Sequence, residues 1–153
     1  MNVFLENQTE NHVRFFYEKT ANPKVMQWMY RNRTTLEDEL ERFKRQEAIR
    51  QAIVVDGVYV GDIWATPSKG LSVDVLLSCC IFDTNFWSKG VATVALQKFL
   101  KNLNEKHHIV SAGAFLYADN KGSQRVLVKQ GFQHGQTFVE NEKEAYFYFK
   151  NLE

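Results

Sequence analysis

The chain has 153 residues, of which 44% are hydrophobic and 24% are charged, as in an ordinary soluble globular protein. That length predicts one domain spanning residues 1–153, since a domain typically has ~150 residues. The 19 Lys and Arg residues nearly balance the 18 Asp and Glu residues, which argues against a nucleic-acid partner. No apolar run approaches the ~20 residues that cross a bilayer, and residues 1–10 do not resemble a signal peptide. We therefore expect no membrane partner.

The two cysteines, Cys79 and Cys80, are adjacent in the sequence. Neighbouring residues in a strand point to opposite faces, which strongly disfavours a disulfide between these two. Two cysteines that are not expected to pair are typical of a reduced, cytoplasmic protein.

The first third of the chain is predicted to be mostly helical after a short strand at residues 2–6. Three residues that favour the cap position, Thr9, Asn22 and Thr35, each precede a segment with helical features. Pro23 follows Asn22 at the first helical position, where its fixed backbone angle is favourable. We therefore expect three helices before residue 50.

The middle of the chain changes to a strand pattern. Residues 51–56 and 58–66 are rich in β-branched side chains and flank Asp56-Gly57, a strong hairpin signal. A third strand is predicted over residues 71–82. Three strands joined by short turns form an antiparallel meander.

The last third alternates between helices and strands. A strand, a helix and a second strand in succession require a parallel pair with a right-handed crossover. The sequence therefore predicts an α+β fold, a mixed sheet of about seven strands flanked by helices. The predicted elements are a helix at 89–106, a strand at 109–118, a helix at 123–130 ended by Gly131, and strands at 132–139 and 145–150, with a turn at 140–144.

The segment between the third strand and the long helix contains several small residues. It reads Phe-Trp-Ser-Lys-Gly-Val-Ala-Thr over residues 86–93. The first turn of a helix has N–H groups without intrahelical partners and lies at the positive end of the helix dipole. Together these features suit a phosphate group, but from these features alone an ordinary tight strand-to-helix turn is the better explanation of the small residues.

A second segment makes the interpretation specific. Residues 120–132 contain the pattern Asn-x-x-Ser-x-Arg-Val-x-x-Lys-x-Gly-Phe, which resembles that of the GNAT acetyltransferase superfamily. The segment 86–93 resembles the Tyr-Trp-Gly-Lys-Gly-Tyr-Ala-Thr loop of one branch, the ribosomal-protein N-terminal-alanine acetyltransferases. Both motifs occur in the expected order, separated by one helix and one strand.

The resemblance implies a GNAT fold splayed at its central strands, with acetyl-CoA as the acyl donor and no metal. The pantetheine arm would pair with the third strand, the pyrophosphate would lie on the loop and helix start, and the thioester would approach the next helix. The implied residues are Cys80, Ile81 and Phe82 for the arm, Trp87, Ser88, Lys89, Gly90, Val91, Ala92 and Thr93 for the pyrophosphate, and Asn120 and Ser123 for the thioester end.

The resemblance also implies catalytic roles. Many family members carry a proton-donating Tyr where this chain has Leu127, and the resembled branch uses the serine that corresponds to Ser123. That branch places a glutamate base after the Gly-Phe pair, which points to Glu142, with Glu140 as the alternative. Some members carry a carboxylate at the position of Leu77. Ser88 replaces the usual loop glycine.

The acceptor is expected to be an amine. It is either a protein N-terminal α-amine or a small molecule such as an antibiotic, a polyamine or an amino-acid analogue. A module that binds acyl-CoA without catalysis is the third alternative. Trp28, Tyr30 and Trp64 either line the acceptor cleft or belong to the core. The protein is expected to be a monomer or a homodimer.

Overall fold

The computed structural model describes residues 1–29 and 33–153, so Tyr30 lies outside the described residues. The described chain forms a seven-stranded mixed sheet flanked by helices. The strands are β1 (Val3–Asn7), β2 (Ile49–Val55), β3 (Val58–Pro67), β4 (Val75–Ile81), β5 (Ser111–Tyr117), β6 (Gln133–Glu140) and β7 (Lys143–Asn151). The helices are α1 (Glu10–Lys19), α2 (Pro23–Met26), α3 (Leu36–Arg45), α4 (Val91–His107) and α5 (Lys121–Lys129), with a 3₁₀ turn at Thr84–Phe86.

The sheet has the order β1-β2-β3-β4-β5-β7-β6. Strands β4 and β5 are parallel, and the other neighbouring pairs are antiparallel. The parallel pair is joined through α4, as the order of predicted elements required. The predicted α+β class and the mixed sheet are therefore confirmed.

The sheet opens between its two parallel strands. Their ladder contains only the pairs Val75 with Ala112 and Leu76 with Gly113. Strand β4 continues to Ile81, and over that length it stays paired with β3. The edge of β4 beyond Leu76 is therefore separated from β5, which confirms the predicted splay.

Two predicted boundaries before the long helix were wrong. The strand predicted over residues 71–82 begins only at Val75, because the Ser68 N–H donates to the Asp74 carbonyl at 3.0 Å and closes a loop. The helix predicted from residue 89 begins at Val91. Ser88 and Gly90 have left-handed φ angles of 60° and 80°, which are incompatible with a right-handed helix.

Three later boundaries also differ. Helix α5 begins two residues earlier than predicted, because the Asn120 side chain caps it by accepting a hydrogen bond from the Ser123 N–H at 3.2 Å. The strand predicted at 109–118 is shorter, spanning Ser111–Tyr117. The turn predicted at 140–144 contains two residues, Asn141 and Glu142, which adopt left-handed φ angles of 53° and 63° and so allow a tight hairpin.

The two faces of the sheet are covered differently. Helices α4 and α5 pack on one face, over an aliphatic core that includes the fully buried Phe99, Ile63 and Leu103. Helix α1 covers β3 and the end of β4 with aromatic contacts. The ring of Phe16 lies 5.8 Å from Trp64 and 5.9 Å from Phe82.

A β-bulge in β3 places two polar side chains under α1. Tyr59 pairs with Val54 and Gly61 pairs with Ile53, so Val60 is the extra residue. Residues three apart in a regular strand point to opposite faces. Because the bulge changes the alternation, Tyr59 and Asp62 lie on the same face and form a hydrogen bond.

None of the helices in residues 1–29 and 33–153 combines the length and apolar character required to cross a membrane.

Candidate active site

The start of α4 forms an open turn with free donors. Gly90 precedes the helix and has no side chain to cap it, and the first helical hydrogen bond runs from the Val94 N–H to the Gly90 carbonyl at 3.1 Å. The N–H groups of Val91, Ala92 and Thr93 therefore have no partner within the helix. A Cβ atom on Gly90 would meet no atom within 4 Å. This turn can accept an anion at the positive end of a 17-residue helix.

The loop before α4 is fixed to the end of β4. The Trp87 indole N–H donates to the Ile81 carbonyl at 2.7 Å, and the Asp83 carboxylate accepts from the Asn85 N–H at 3.1 Å. Ser88 is exposed and has a left-handed φ of 60°, a conformation that costs a non-glycine residue about 1–2 kcal/mol. This left-handed backbone conformation explains why the resembled loop motif has a glycine at the position of Ser88. The sequence pattern alone did not reveal that conformation.

The open edge of β4 begins after Leu76 and leads to this loop. The Phe82 N–H donates to the Val60 carbonyl of β3 at 3.0 Å. Since backbone groups in an antiparallel strand alternate between its two neighbours, Ile81 and Cys79 direct theirs to the open edge. Within the predicted segment Cys80 to Phe82, only Ile81 thus directs its backbone N–H and C=O groups to the gap. Cys79, just outside that segment, does the same.

The start of α5 contains the predicted Asn120 and Ser123. The Asn120 side chain caps the helix by accepting from the Ser123 N–H, so Ser123 is not the cap and its hydroxyl is not used for that purpose. The Ser123 side chain is half-buried in the first turn. Leu127 and Leu77 both belong to the aliphatic core, which explains why apolar residues occupy these two positions.

The β6–β7 turn is attached to the end of β5, just before α5. The Asn141 amide donates to the Tyr117 hydroxyl at 3.1 Å, and the Lys143 ammonium lies 3.1 Å from the Asp119 carboxylate. Glu142 is exposed in this turn, and Glu140 is exposed at the end of β6. The two candidate bases are therefore carried at the same end of the sheet as Ser123.

A cavity of about 50 Å³ lies between α1, α3 and the sheet, with room for a few water molecules. The buried Trp64 forms part of its wall, whereas Trp28 is exposed. The Arg50 guanidinium lies 5.2 Å from the Trp64 ring and 3.9 Å from the Glu39 carboxylate. The lining residues are Val13, Phe16, Tyr17, Thr20, Met29, Arg33, Thr34, Glu39, Arg50 and Trp64.

A buried carboxyl group, that of Asp62, was not among the predicted site residues. Its Oδ1 atom accepts from the Tyr59 hydroxyl at 2.6 Å, and its Oδ2 atom accepts from the Gln8 amide. Asp62 is fully buried on β3 and pairs with Cys80 of β4. Burial raises its pKa to about 7, although the donors and the charge of Arg50 act in the opposite direction.

The same region changes the chemistry of one of the two thiols. Burial and then the charges of Cys79 and Asp62 raise the pKa of the half-buried Cys80 thiol, whereas the Cys79 thiol is exposed. Because the thiolate is the nucleophilic form, Cys80 is poorly reactive. The sequence feature that could have identified Asp62 as a buried polar residue is its position as the one charged residue of β3.

The profile of the acetyltransferase (GNAT) domain matches residues 2–133. The chain belongs to the GNAT acetyltransferase family. This confirms the family predicted from the two motifs and the enzyme class, an acetyl-CoA-dependent N-acetyltransferase. No curated protein sequence matches the chain.

Solved structures of several acetyltransferases are similar to this GNAT protein. Spermidine N-acetyltransferase from Vibrio cholerae, in complex with coenzyme A and spermine, has a TM-score of 0.85 at 11% identity over 98% of this chain and 95% of that one. Aminoglycoside acetyltransferase AAC(6')-Ib, in complex with coenzyme A, has a TM-score of 0.80 at 16% identity over 98% and 95%. RimL, a ribosomal L7/L12 α-N-protein acetyltransferase in complex with coenzyme A, has a TM-score of 0.81 at 15% identity over 99% and 94%. These similarities show the fold and do not distinguish one acceptor class, so the branch remains a prediction.

Proposed function

We propose that this GNAT protein transfers the acetyl group of acetyl-CoA to an amine, with a protein N-terminal α-amine as the preferred acceptor. The observation that carries the proposal is the open edge of β4, which leads directly to the uncapped first turn of α4. An extended amide-containing arm can pair with such an edge, and a pyrophosphate suits such a turn. We further propose that residues 1–153 form one N-acetyltransferase domain without a metal cofactor.

Coenzyme A is assigned to three neighbouring parts of the fold. Its pantetheine arm lies along β4 at Cys80, Ile81 and Phe82, with Ile81 presenting its backbone to the gap. Its thioester end approaches Asn120 and Ser123 at the start of α5. Its pyrophosphate contacts the loop and helix residues Trp87, Ser88, Lys89, Gly90, Val91, Ala92 and Thr93.

The reaction needs a base, an oxyanion donor and a proton for the leaving group. The amine must lose a proton to attack the thioester carbonyl, and Glu142 takes it through a water molecule. A backbone N–H on the open edge of β4 stabilises the oxyanion. The C–N bond forms as the carbonyl becomes tetrahedral, and the C–S bond then breaks as the carbonyl re-forms. The Ser123 hydroxyl passes a proton to the departing thiolate and regains one from solvent.

The choice of a protein N-terminus rests on the two motifs, which resemble the N-terminal-alanine branch. A small-molecule amine is the second candidate, because the structural neighbours include a spermidine and an aminoglycoside acetyltransferase. Mass spectrometry of acetylated peptides, polyamines and aminoglycosides after incubation with acetyl-CoA tests the choice. Acetylation of a polyamine or an aminoglycoside, with all peptides unmodified, would refute the N-terminal acceptor.

The coenzyme assignment is tested with Gly90→Glu, which places a negative charge over the free N–H groups. We expect this variant to lose coenzyme A binding in calorimetry while it remains folded by circular dichroism. Gly90→Ala is the matched control, because it introduces the same unfavourable left-handed residue without the charge. Equal affinity in the Glu and Ala variants would refute the pyrophosphate site.

The catalytic assignments are tested once an acceptor is known. Ser123→Ala should lower kcat and kcat/KM together with unchanged coenzyme A affinity, since a donor to the leaving thiolate acts in the transition state. Glu142→Gln should slow the reaction at neutral pH and less at high pH, where more of the acceptor amine is neutral. Glu140→Gln is the control for position, and full turnover in both single variants and the double variant would exclude both carboxylates.

The oligomeric state is proposed as monomer or homodimer. Strand β6 is at an edge of the sheet, with Val139 exposed, and an exposed edge strand can pair with that of a second chain. Sedimentation at several protein concentrations distinguishes the two states.

A further inference from the structure

The indole of Trp87 binds one backbone group on the open edge of β4. Its Nε1–H donates to the Ile81 carbonyl at 2.7 Å. That carbonyl is the last group that β4 directs to the gap, because the next residue, Phe82, donates to the Val60 carbonyl of β3. The backbone of Trp87 belongs to the loop assigned to the pyrophosphate, whereas its side chain lies against the strand assigned to the pantetheine arm.

Trp87 is held in this position by two further contacts. Its backbone N–H donates to the Thr84 carbonyl at 3.2 Å, at the end of the 3₁₀ turn that follows β4. The Lys24 ammonium of α2 lies 6.0 Å from the centre of its ring, which is a cation–π contact. The orientation of the indole is therefore set by the loop and by α2 as well as by Ile81.

Trp87 also connects the two sites that bind coenzyme A in the proposed function. It precedes Gly90 by three residues, so it joins the uncapped turn of α4 to the edge of β4. The pyrophosphate alone does not fix the position of the thioester, because the pantetheine arm consists largely of rotatable single bonds. The position of the arm along β4 depends on which backbone groups its two amides pair with.

The contact with Trp87 limits those backbone groups. With the Ile81 carbonyl occupied, the outward groups on this part of β4 are the Ile81 N–H and the N–H and carbonyl of Cys79. Successive outward residues of a strand are about 7 Å apart. A shift of the arm by one such position would place the thioester out of reach, since reacting atoms must approach to about 3–3.5 Å.

We propose that Trp87 is a positioning residue that holds the pantetheine arm in one register on β4. This inference rests on the proposed function, because it requires the arm to pair with the open edge of the strand. The indole withdraws the Ile81 carbonyl as an acceptor. An amide N–H of the arm therefore donates to the Cys79 carbonyl, and an amide oxygen of the arm accepts from the Ile81 N–H. The hydrogen bond between Trp87 and Ile81 persists when coenzyme A binds.

Hydrogen exchange of the Trp87 indole N–H tests this persistence without any acceptor. The chain has three Trp residues, so a proton–nitrogen correlation spectrum contains three indole signals, and Trp87→Phe identifies the one from Trp87. We expect this signal to exchange more slowly than that of the exposed Trp28 and to stay protected at saturation with coenzyme A. Loss of protection on binding would overturn the inference, because the arm would then have taken the carbonyl.

Trp87→Phe keeps an aromatic ring but removes the donor. A net hydrogen bond changes an equilibrium by about twofold to tenfold, so kcat should fall by about that factor while KM for the acceptor is unchanged. The affinity for coenzyme A in calorimetry should stay within about threefold of the wild type, since the arm exchanges one acceptor for another. Trp28→Phe, which alters an exposed indole, is the matched control and should change neither the coenzyme affinity nor the protection of Trp87.

A purely structural role of Trp87 predicts the opposite division, with weaker coenzyme binding and an unchanged kcat. Full kcat in a folded Trp87→Phe variant would therefore overturn the inference, as would a loss of coenzyme affinity beyond the expected range. If Trp87→Phe does not fold, the indole signal is identified in the wild type through contacts with its own backbone protons, and its exchange still decides. Failure of the wild type to bind coenzyme A would refute the proposed function and the inference together, whereas binding with an unprotected indole would overturn the inference alone.

Discussion

Replacing Asp62 by Asn should change how the stability of the fold depends on pH. The folded protein holds the Asp62 proton up to a pKa of about 7, whereas an aspartate in the unfolded chain has its ordinary pKa of 3.8. Between these values the folded state binds more protons than the unfolded state. The free energy of unfolding of the wild type therefore falls as pH rises through this window, and Asn removes this contribution.

The magnitude follows from the difference between the two pKa values. One unit corresponds to about 1.4 kcal/mol, so a difference of about three units gives about 4 kcal/mol as an upper limit. Asn keeps an acceptor for the Tyr59 hydroxyl but presents N–H groups toward the Gln8 amide. That mismatch adds a cost of about 1–3 kcal/mol, which is the same at every pH and does not alter the slope.

Urea denaturation of both proteins at several pH values between 5 and 9 is the appropriate assay. The difference in unfolding free energy, Asp62→Asn minus wild type, should increase by about 2–4 kcal/mol from pH 5 to pH 8. Most of the increase should occur below pH 7, with a plateau above it. Parallel stability curves would refute the reasoning, because they would show that Asp62 has the same pKa in the folded and unfolded chains.

Two further predictions concern the backbone near the coenzyme site. Ser88→Gly should raise the free energy of unfolding by about 1 kcal/mol, because glycine adopts the left-handed φ of 60° without strain; a thermal melt measures it, and an unchanged or lower melting temperature would contradict the argument. Gly61→Ala should lower stability by about 2 kcal/mol or more, because its Cβ would lie 2.3 Å from the Cys80 carbonyl oxygen. It should also weaken coenzyme A binding by displacing β4, and wild-type values in both denaturation and calorimetry would contradict this contact.

Local chemistry was sufficient to predict where the first three helices begin and where the first hairpin turns. Thr9, Asn22 and Thr35 each cap a helix with their side chains, because their oxygen atoms satisfy N–H groups within the same few residues. Asp56 and Gly57 both adopt left-handed φ angles, 48° and 84°, as a two-residue hairpin requires. These features depend on neighbours in sequence and can be recognised without the tertiary fold.

The candidate bases illustrate information that the sequence does not contain. Glu140 and Glu142 differ by two positions, and a small alignment shift exchanges them. In the structure Glu140 belongs to the β6–β7 ladder, opposite Lys143, whereas Glu142 has a left-handed φ in the turn. The turn is held against β5 by the contact between Asn141 and Tyr117. The two carboxylates therefore have different backbone environments. Glu140→Gln changes a residue of the strand ladder, whereas Glu142→Gln changes a residue of the turn.

Asp62 was missed for a different reason. A regular strand predicts that Tyr59 and Asp62 point to opposite faces, so no contact between them is expected from alternation alone. The bulge at Val60 reverses this relation, and it arises from pairing with β2, which a local pattern does not encode. The partner Gln8 is 54 residues away in the sequence. A charged residue inside an apolar strand is therefore a reason to expect a buried polar network, but its partners, its protonation and its link to the neighbouring strand follow only from the tertiary structure.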